Sequence, residues 1–238
     1  VKENSNGKTG TVYVRSKGYD DNGDVILEYV RWVMVRKKDP ASPAPEAVVP
    51  QLTKVVDVSE LGQAVPKLDP ASYNQALAGS PHRWADYDVG EKIDHVDGMT
   101  VEEAEHMMAT RLWQNTAKVH FNQHTEGKGR FGRRLIYGGM VISVARALSF
   151  NGLGNAFHIA AINGGTHVAP LFAGDTVYAW TEILEKAEVP GRDDIGALRV
   201  RLVATKDLPC DEFPHKSDDG KYVDGVILDI DMWLIIIK

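Results

Sequence analysis

The sequence predicts an α+β fold in which an antiparallel sheet wraps round one central helix. Three observations carry this expectation. Two segments with helical periodicity, one near Thr100 and one after Gly138-Gly139, precede strand-like segments that fill the rest of the chain. The second helical segment is the more apolar and is therefore the one expected at the centre. Finally, the last strand-rich stretch has a near copy close to the start of the chain, so the sheet is expected twice.

The first helix is expected to open on Thr100-Val101-Glu102-Glu103, which reads as a capping box. Ala104, Met107, Met108 and Leu112 then recur at helical spacing, taking the helix to about Trp113. In the second helix Met140, Val141, Val144 and Leu148 share one face, and Gly152 is the expected stop. Its small residues Gly139, Ser143 and Ala147 are expected to let the sheet approach closely. Strands are expected over 157–163, 166–168, 176–184, 197–205 and 225–237.

The repeat aligns Asn22–Lys37 with the stretch ending at Lys238. Trp32 falls on Trp233, Leu27 on Leu228, Glu28 on Asp229 and Lys37 on Lys238. Each copy follows a Gly-containing turn, and each is preceded by another β-rich stretch, Gly10 to Arg15 and Ala197 to Ala204. Each therefore reads as the closing antiparallel pair of a sheet. The expected organisation is residues 1–38 as the C-terminal strands of a first repeat that has lost its N-terminal part, 39–83 as a linker, and 84–238 as a complete unit. The linker reading rests on Pro43-Ala44-Pro45 and on a length unusual for a connection inside one domain, with a short helix near 70–77.

Composition narrows the function. A hydrophobic share of 43% and a charged share of 25% are ordinary for a globular protein. The net charge of −6 argues against nucleic acid as the main partner. No apolar run is long enough to cross a bilayer, and the single Cys210 excludes an internal disulfide. The expected place is the cytoplasm.

The chemistry is expected between the two helices, where polar and basic residues run from Gln114 to Met140. His120 and His124 have zinc-type spacing, but Phe121 stands where a metalloprotease needs its glutamate, so no metal is expected. Lys128, Arg130, Arg133 and Arg134 form a basic cluster in an acidic chain, suited to phosphates or a carboxylate. Gly138 opens a helix, so its amide is placed to stabilise a developing oxyanion.

Within this stretch the sequence resembles the MaoC-like, (R)-specific enoyl-CoA hydratase family. That family's signature is Asp-x-Asn-Pro-x-His, then a Phe eleven residues later and a His-Gly pair ahead of the central helix. His120 falls on the signature histidine, Phe131 on the Phe and Tyr137-Gly138 on the His-Gly pair. Pro170-Leu171-Phe172-Ala173-Gly174-Asp175 resembles the family's Pro-x-x-x-Gly-Asp turn. Asn115 replaces the signature Asp, Ala117 the Asn and Lys118 the Pro. The string Gln114-Asn115-Thr116-Ala117-Lys118-Val119-His120-Phe121-Asn122 is most similar to the mesaconyl-CoA hydratase branch.

The resemblance implies a duplicated hot-dog fold, an acyl-CoA substrate and no cofactor, in a homo-oligomer or a pseudo-dimer of repeats. It implies His120 as the proton-transferring group, Asn115 as an orienting amide and Gly138 as the donor to the thioester carbonyl. Lys128, Arg133, Arg134 and Tyr137 are expected to bind substrate. A general enoyl-CoA hydratase or dehydratase, and a non-catalytic acyl-CoA-binding hot-dog protein, are the rival readings.

Overall fold

A computed structural model describes all residues, 1–238, and divides them into two compact units, Val1–Thr53 and Lys54–Lys238.

The first unit is a three-stranded antiparallel sheet of β1 (Lys2–Glu3), β2 (Thr9–Tyr19) and β3 (Val25–Arg36). Its tight turn is set by Asp20, whose carboxylate accepts the amides of Asn22 and Asp24, with Gly23 at a positive φ of 87°.

The second unit is a sheet in the order β4-β7-β8-β9-β6, built from β4 (Lys92–Asp94), β6 (Ala156–His167), β7 (Thr176–Glu188), β8 (Ile195–Lys206) and β9 (Val226–Ile237). A short β5 (Met99–Thr100) also pairs with β7. The helices are α1 (Gln75–Ala78), α2 (Glu103–Leu112), α3 (Gln123–Glu126), α4 (Gly138–Leu148) and α5 (Phe150–Leu153).

The repeat holds at the level of backbone pairing. Thr9 pairs with Arg36 and Ile195 with Ile237, Tyr13 with Trp32 and Arg199 with Trp233. Both hairpins then slip at the same place, leaving Ile26 in one and Ile227 in the other as the extra residue of a bulge. Their surroundings differ. Trp233, Ile235 and Ile227 are fully buried, whereas their counterparts Trp32, Met34 and Ile26 are 63–68% exposed.

The core of the second unit lies between α4 and the sheet. Met140, Val141, Val144, Ala145 and Leu148 face Leu228, Ile230, Met232, Leu234 and Ile236 of β9 and Leu198, Val200 and Leu202 of β8. The alternation along β9 sends Trp233 and Ile235 to the other side, where Leu61, Val65 and Val189 cover them. Between the covered ends that outer face carries ion pairs, Arg199 with Asp231 and Arg201 with Glu182.

Several expectations are corrected. Residues 54–83 are not a free linker. Asp194, paired bidentately with Arg192, also accepts the Leu68 amide, and Arg192 donates to the carbonyls of Val65 and Pro66. This pairing holds the Asp194 carboxyl well below the usual range. Buried Asn155 meanwhile ties down Tyr73, Ser80 and His82.

Helix α2 starts later than expected, with Glu102 at the N-cap and Glu105 reaching back to its amide, because Thr100 belongs to β5 and bonds Thr176. The face it buries is His106, Ala109 and Thr110, while Met108 and Leu112 are exposed. On α4, Ser143 and Ala147 lie on the exposed side rather than against the sheet. The strand expected to break near Gly164 runs on through irregular pairing.

His95, following β4, is fully buried and bonded at both ring nitrogens. Nδ1 donates to the Asn151 carbonyl (2.6 Å), and Nε2 accepts from the Thr181 hydroxyl (2.8 Å). Burial pushes its pKa down from 6.5 to about 4. The unfolded chain therefore takes up this proton first as the pH falls. The contribution to stability is full above pH 6.5 and lost between 6.5 and 4, amounting to about 3 kcal/mol. Urea unfolding at pH 7 and pH 4 should show this loss, and His95→Gln should lose less between the two pH values. An equal loss in both proteins would rule the histidine out as the cause.

Candidate functional site

The site is assembled by the chain between α2 and α4. At the end of α2, Gln114 takes a positive φ of 50°, and the Asn115 amide closes the turn on the Thr110 carbonyl. The Asn115 side-chain oxygen then accepts the Ala117 amide at 2.9 Å, an Asx turn that starts the helical turn Lys118–His120. Such a bond uses the oxygen of the side chain and leaves its NH₂ group available.

His120 is held from the other side. Its Nδ1 lies 2.9 Å from the Leu135 carbonyl, and the Leu135 amide bonds back to Val119. A carbonyl only accepts, so Nδ1 carries the proton, and in the neutral ring Nε2 keeps its lone pair. One residue on, the Ile136 amide bonds the Leu171 carbonyl. The path from His120 to the start of α4 is thus fixed by backbone bonds.

Around His120 the aromatic rings gather. Tyr137 lies edge-on with ring centres 5.6 Å apart, His106 stands 6.5 Å away, and Trp113 packs on Tyr137 at 6.0 Å. Tyr137 is the N-cap of α4, so the amides of Gly138 and Gly139 have no partner inside the helix. At both glycines a side chain would crowd a neighbouring ring. A Cβ on Gly138 would stand 2.7 Å from Nε2 of His167, and one on Gly139 would stand 2.6 Å from the Tyr137 ring.

Beside this cluster a cavity of about 390 Å³ is lined by Met107, Thr110, Arg111, Gln114, Asn115 and Phe121. Asn115 lines this space, whereas His120, Tyr137 and Gly138 are not among its lining residues. The basic residues are divided. Arg133 is exposed, its guanidinium 4.0 Å over the Phe172 ring, and Phe131 meets the same ring at 5.3 Å. Lys128 is exposed. Arg134 departs from the expectation of a substrate ligand, because its guanidinium pairs with Glu103 and contacts Met107 Sδ, with 14% of the side chain exposed. The turn Pro170–Asp175 is shaped by the Asp175 carboxylate accepting the Phe172 amide.

Sequence reasoning missed His106, Trp113 and His167. His106 was the one legible signal, a lone imidazole inside an otherwise conventional helix. Its Nε2 accepts the Tyr137 amide at 3.0 Å.

Comparison with known proteins shows the family and the fold. The family model for mesaconyl-CoA hydratase matches residues 1–214. The chain is 62% identical over 232 residues to a β-methylmalyl-CoA dehydratase of Chloroflexus aurantiacus, covering 97% of the chain and 65% of that relative. It is 58% identical over 239 residues to a mesaconyl-CoA hydratase of Cereibacter sphaeroides, covering 99% of the chain and 67% of that relative. The chain thus spans about two thirds of the length of these relatives. A crystal structure of a MaoC domain dehydratase from Chloroflexus aurantiacus matches with a TM-score of 0.95 at 60% identity, over 99% of this chain and 67% of that one. A Mycobacterium tuberculosis protein described as a double hot dog matches at 0.58 and 23% identity, over 97% of this chain and 63% of that one, a likeness of fold alone. The fold is accordingly the hot dog, and the chain belongs to the mesaconyl-CoA hydratase family.

Proposed function

We propose that this chain carries the water-adding site of a hydratase that interconverts an enoyl-CoA thioester and its β-hydroxyacyl form, with mesaconyl-CoA and β-methylmalyl-CoA as the pair. The observation that carries the reading is the identity of 62% and 58% to relatives named for these two thioesters. The geometry around His120 agrees with it chemically.

In this reading Nε2 of His120 takes a proton from water as the water oxygen bonds to the β-carbon. The electron pair of the double bond moves toward the thioester oxygen, where the Gly138 amide, at the positive end of α4, stabilises it. The imidazolium returns the proton to the α-carbon, so atoms and charge balance over the cycle. Tyr137 walls the reacting end. Arg133 and Lys128, both exposed, meet the anionic groups of the thioester, whether coenzyme A phosphates or the free carboxylate.

Asn115 orients without charge. An aspartate here would repel the substrate's free carboxylate. Asn115→Asp should therefore raise KM for mesaconyl-CoA by about tenfold, equivalent to ~1.4 kcal/mol. A variant that binds equally well and turns over faster would remove the repulsion argument.

The test of the whole reading follows loss of the enoyl-thioester absorbance with mesaconyl-CoA and crotonyl-CoA in parallel. Loss confined to mesaconyl-CoA supports it. Loss with crotonyl-CoA instead makes the protein a general enoyl-CoA hydratase, and loss with neither leaves an acyl-CoA-binding protein.

A further inference from the structure

His106 is an unusual residue to bury in a helix. It is 2% exposed, it lies on α2, and its ring stands across from His120 and below the start of α4. Its one hydrogen bond to the site runs from the Tyr137 amide to Nε2 at 3.0 Å. An amide only donates, so Nε2 must hold a lone pair and the ring must be neutral. Tyr137 is the N-cap of α4, the residue whose backbone sets where the Gly138 and Gly139 amides point.

We propose that His106 is a positioning residue, a buried neutral acceptor that fixes the Tyr137 backbone and thereby aims the first amides of α4 at the reacting thioester. The proposal rests on the hydratase reading above for its chemical purpose, but its geometry does not.

The charged surroundings suit a ring that stays neutral. Burial disfavours the protonated form most, and His120 from the Lys118–His120 turn and Arg134 from the loop ahead of α4 add to it. Only Glu103, on the same helix, acts the other way. Its pKa is therefore held below the ordinary histidine value of 6.5. If His106 did take up a proton, two N–H groups would face each other across 3.0 Å and the Tyr137 bond would be lost. Protonation of His106 is thus a way to disarm the site in acid.

Two variants separate acceptor from packing. His106→Gln places a carbonyl oxygen where Nε2 stood, whereas His106→Leu fills the space without an acceptor. The first measurement is hydrogen exchange at Tyr137–Gly139 in both variants and the wild type at pH 7. Protection at Tyr137 should be lost in His106→Leu and kept in His106→Gln. The second is hydration of mesaconyl-CoA. His106→Leu should lower kcat by about 10- to 100-fold with KM changed by less than about threefold, and His106→Gln should recover most of it. The acid limb of the wild-type kcat profile should fall more steeply than that of His106→Gln, which has one titrating group fewer. Unchanged Tyr137 exchange in a folded His106→Leu protein overturns the proposal whether or not the enzyme turns over. A wild type that hydrates nothing overturns the hydratase reading instead, while the exchange result still decides the positioning role.

Discussion

His120→Ala should lower the rate of mesaconyl-CoA hydration by about a hundred- to ten-thousand-fold, the range that a positioned general base supplies. The expectation follows from the tautomer. Leu135's carbonyl claims the Nδ1 proton at 2.9 Å, so in the neutral ring Nε2 carries the lone pair that takes a proton from water. The ring is half-buried beside Tyr137. The side chain also bonds the Leu135 carbonyl and packs on Tyr137, so a thermal melt beside the kinetics shows whether the variant is folded. A variant keeping more than a tenth of the wild-type rate would place the base elsewhere.

Gly138→Ala keeps the amide but crowds it, and should lower kcat by up to about a hundredfold, less than the cost of deleting an oxyanion donor outright. The alanine Cβ would meet His167 at 2.7 Å from Nε2 and 3.0 Å from Cε1, too close for either group to stay in place. Relief comes from moving the His167 ring or from rotating the first turn of α4, and rotation turns the Gly138 amide away. The change should appear in kcat more than in KM, because the amide meets charge that develops only in the transition state. Steady-state kinetics beside Gly138→Ser, which carries the same Cβ, check this. Full activity in both, with hydrogen exchange at residue 138 altered from the wild type, would mean that the thioester oxygen lies elsewhere.

The features legible in the sequence are those set by short-range pattern. The apolar face of α4 and the alternation of β9 were readable because each faces one continuous core. The repeat was legible down to matched tryptophans, and the structure gives both hairpins one register and one bulge. The spaced signature singled out His120, Tyr137 and Gly138, and the structure sets the His120 and Tyr137 rings 5.6 Å apart at the start of α4.

What escaped depends on partners far along the chain. The face buried by α2 could not be read from Met108 and Leu112, because what buries His106 is a hydrogen bond to Tyr137, 31 positions away. Residues 54–83 look like a linker by composition, yet Asp194 and Asn155 hold them from more than 70 positions off. Arg134 reads as a phosphate ligand until Glu103 is seen beside it. Charge patterning in a loop gives the residues but not the pairing.

The central claim is that His120 delivers water to an enoyl thioester, and oxygen-18 water tests it most directly. The wild-type protein with mesaconyl-CoA should give a β-hydroxyacyl-CoA carrying one labelled oxygen, resolved by mass spectrometry, and His120→Ala should give only the background level. Equal label incorporation by the two proteins, or none by the wild type, would contradict the account.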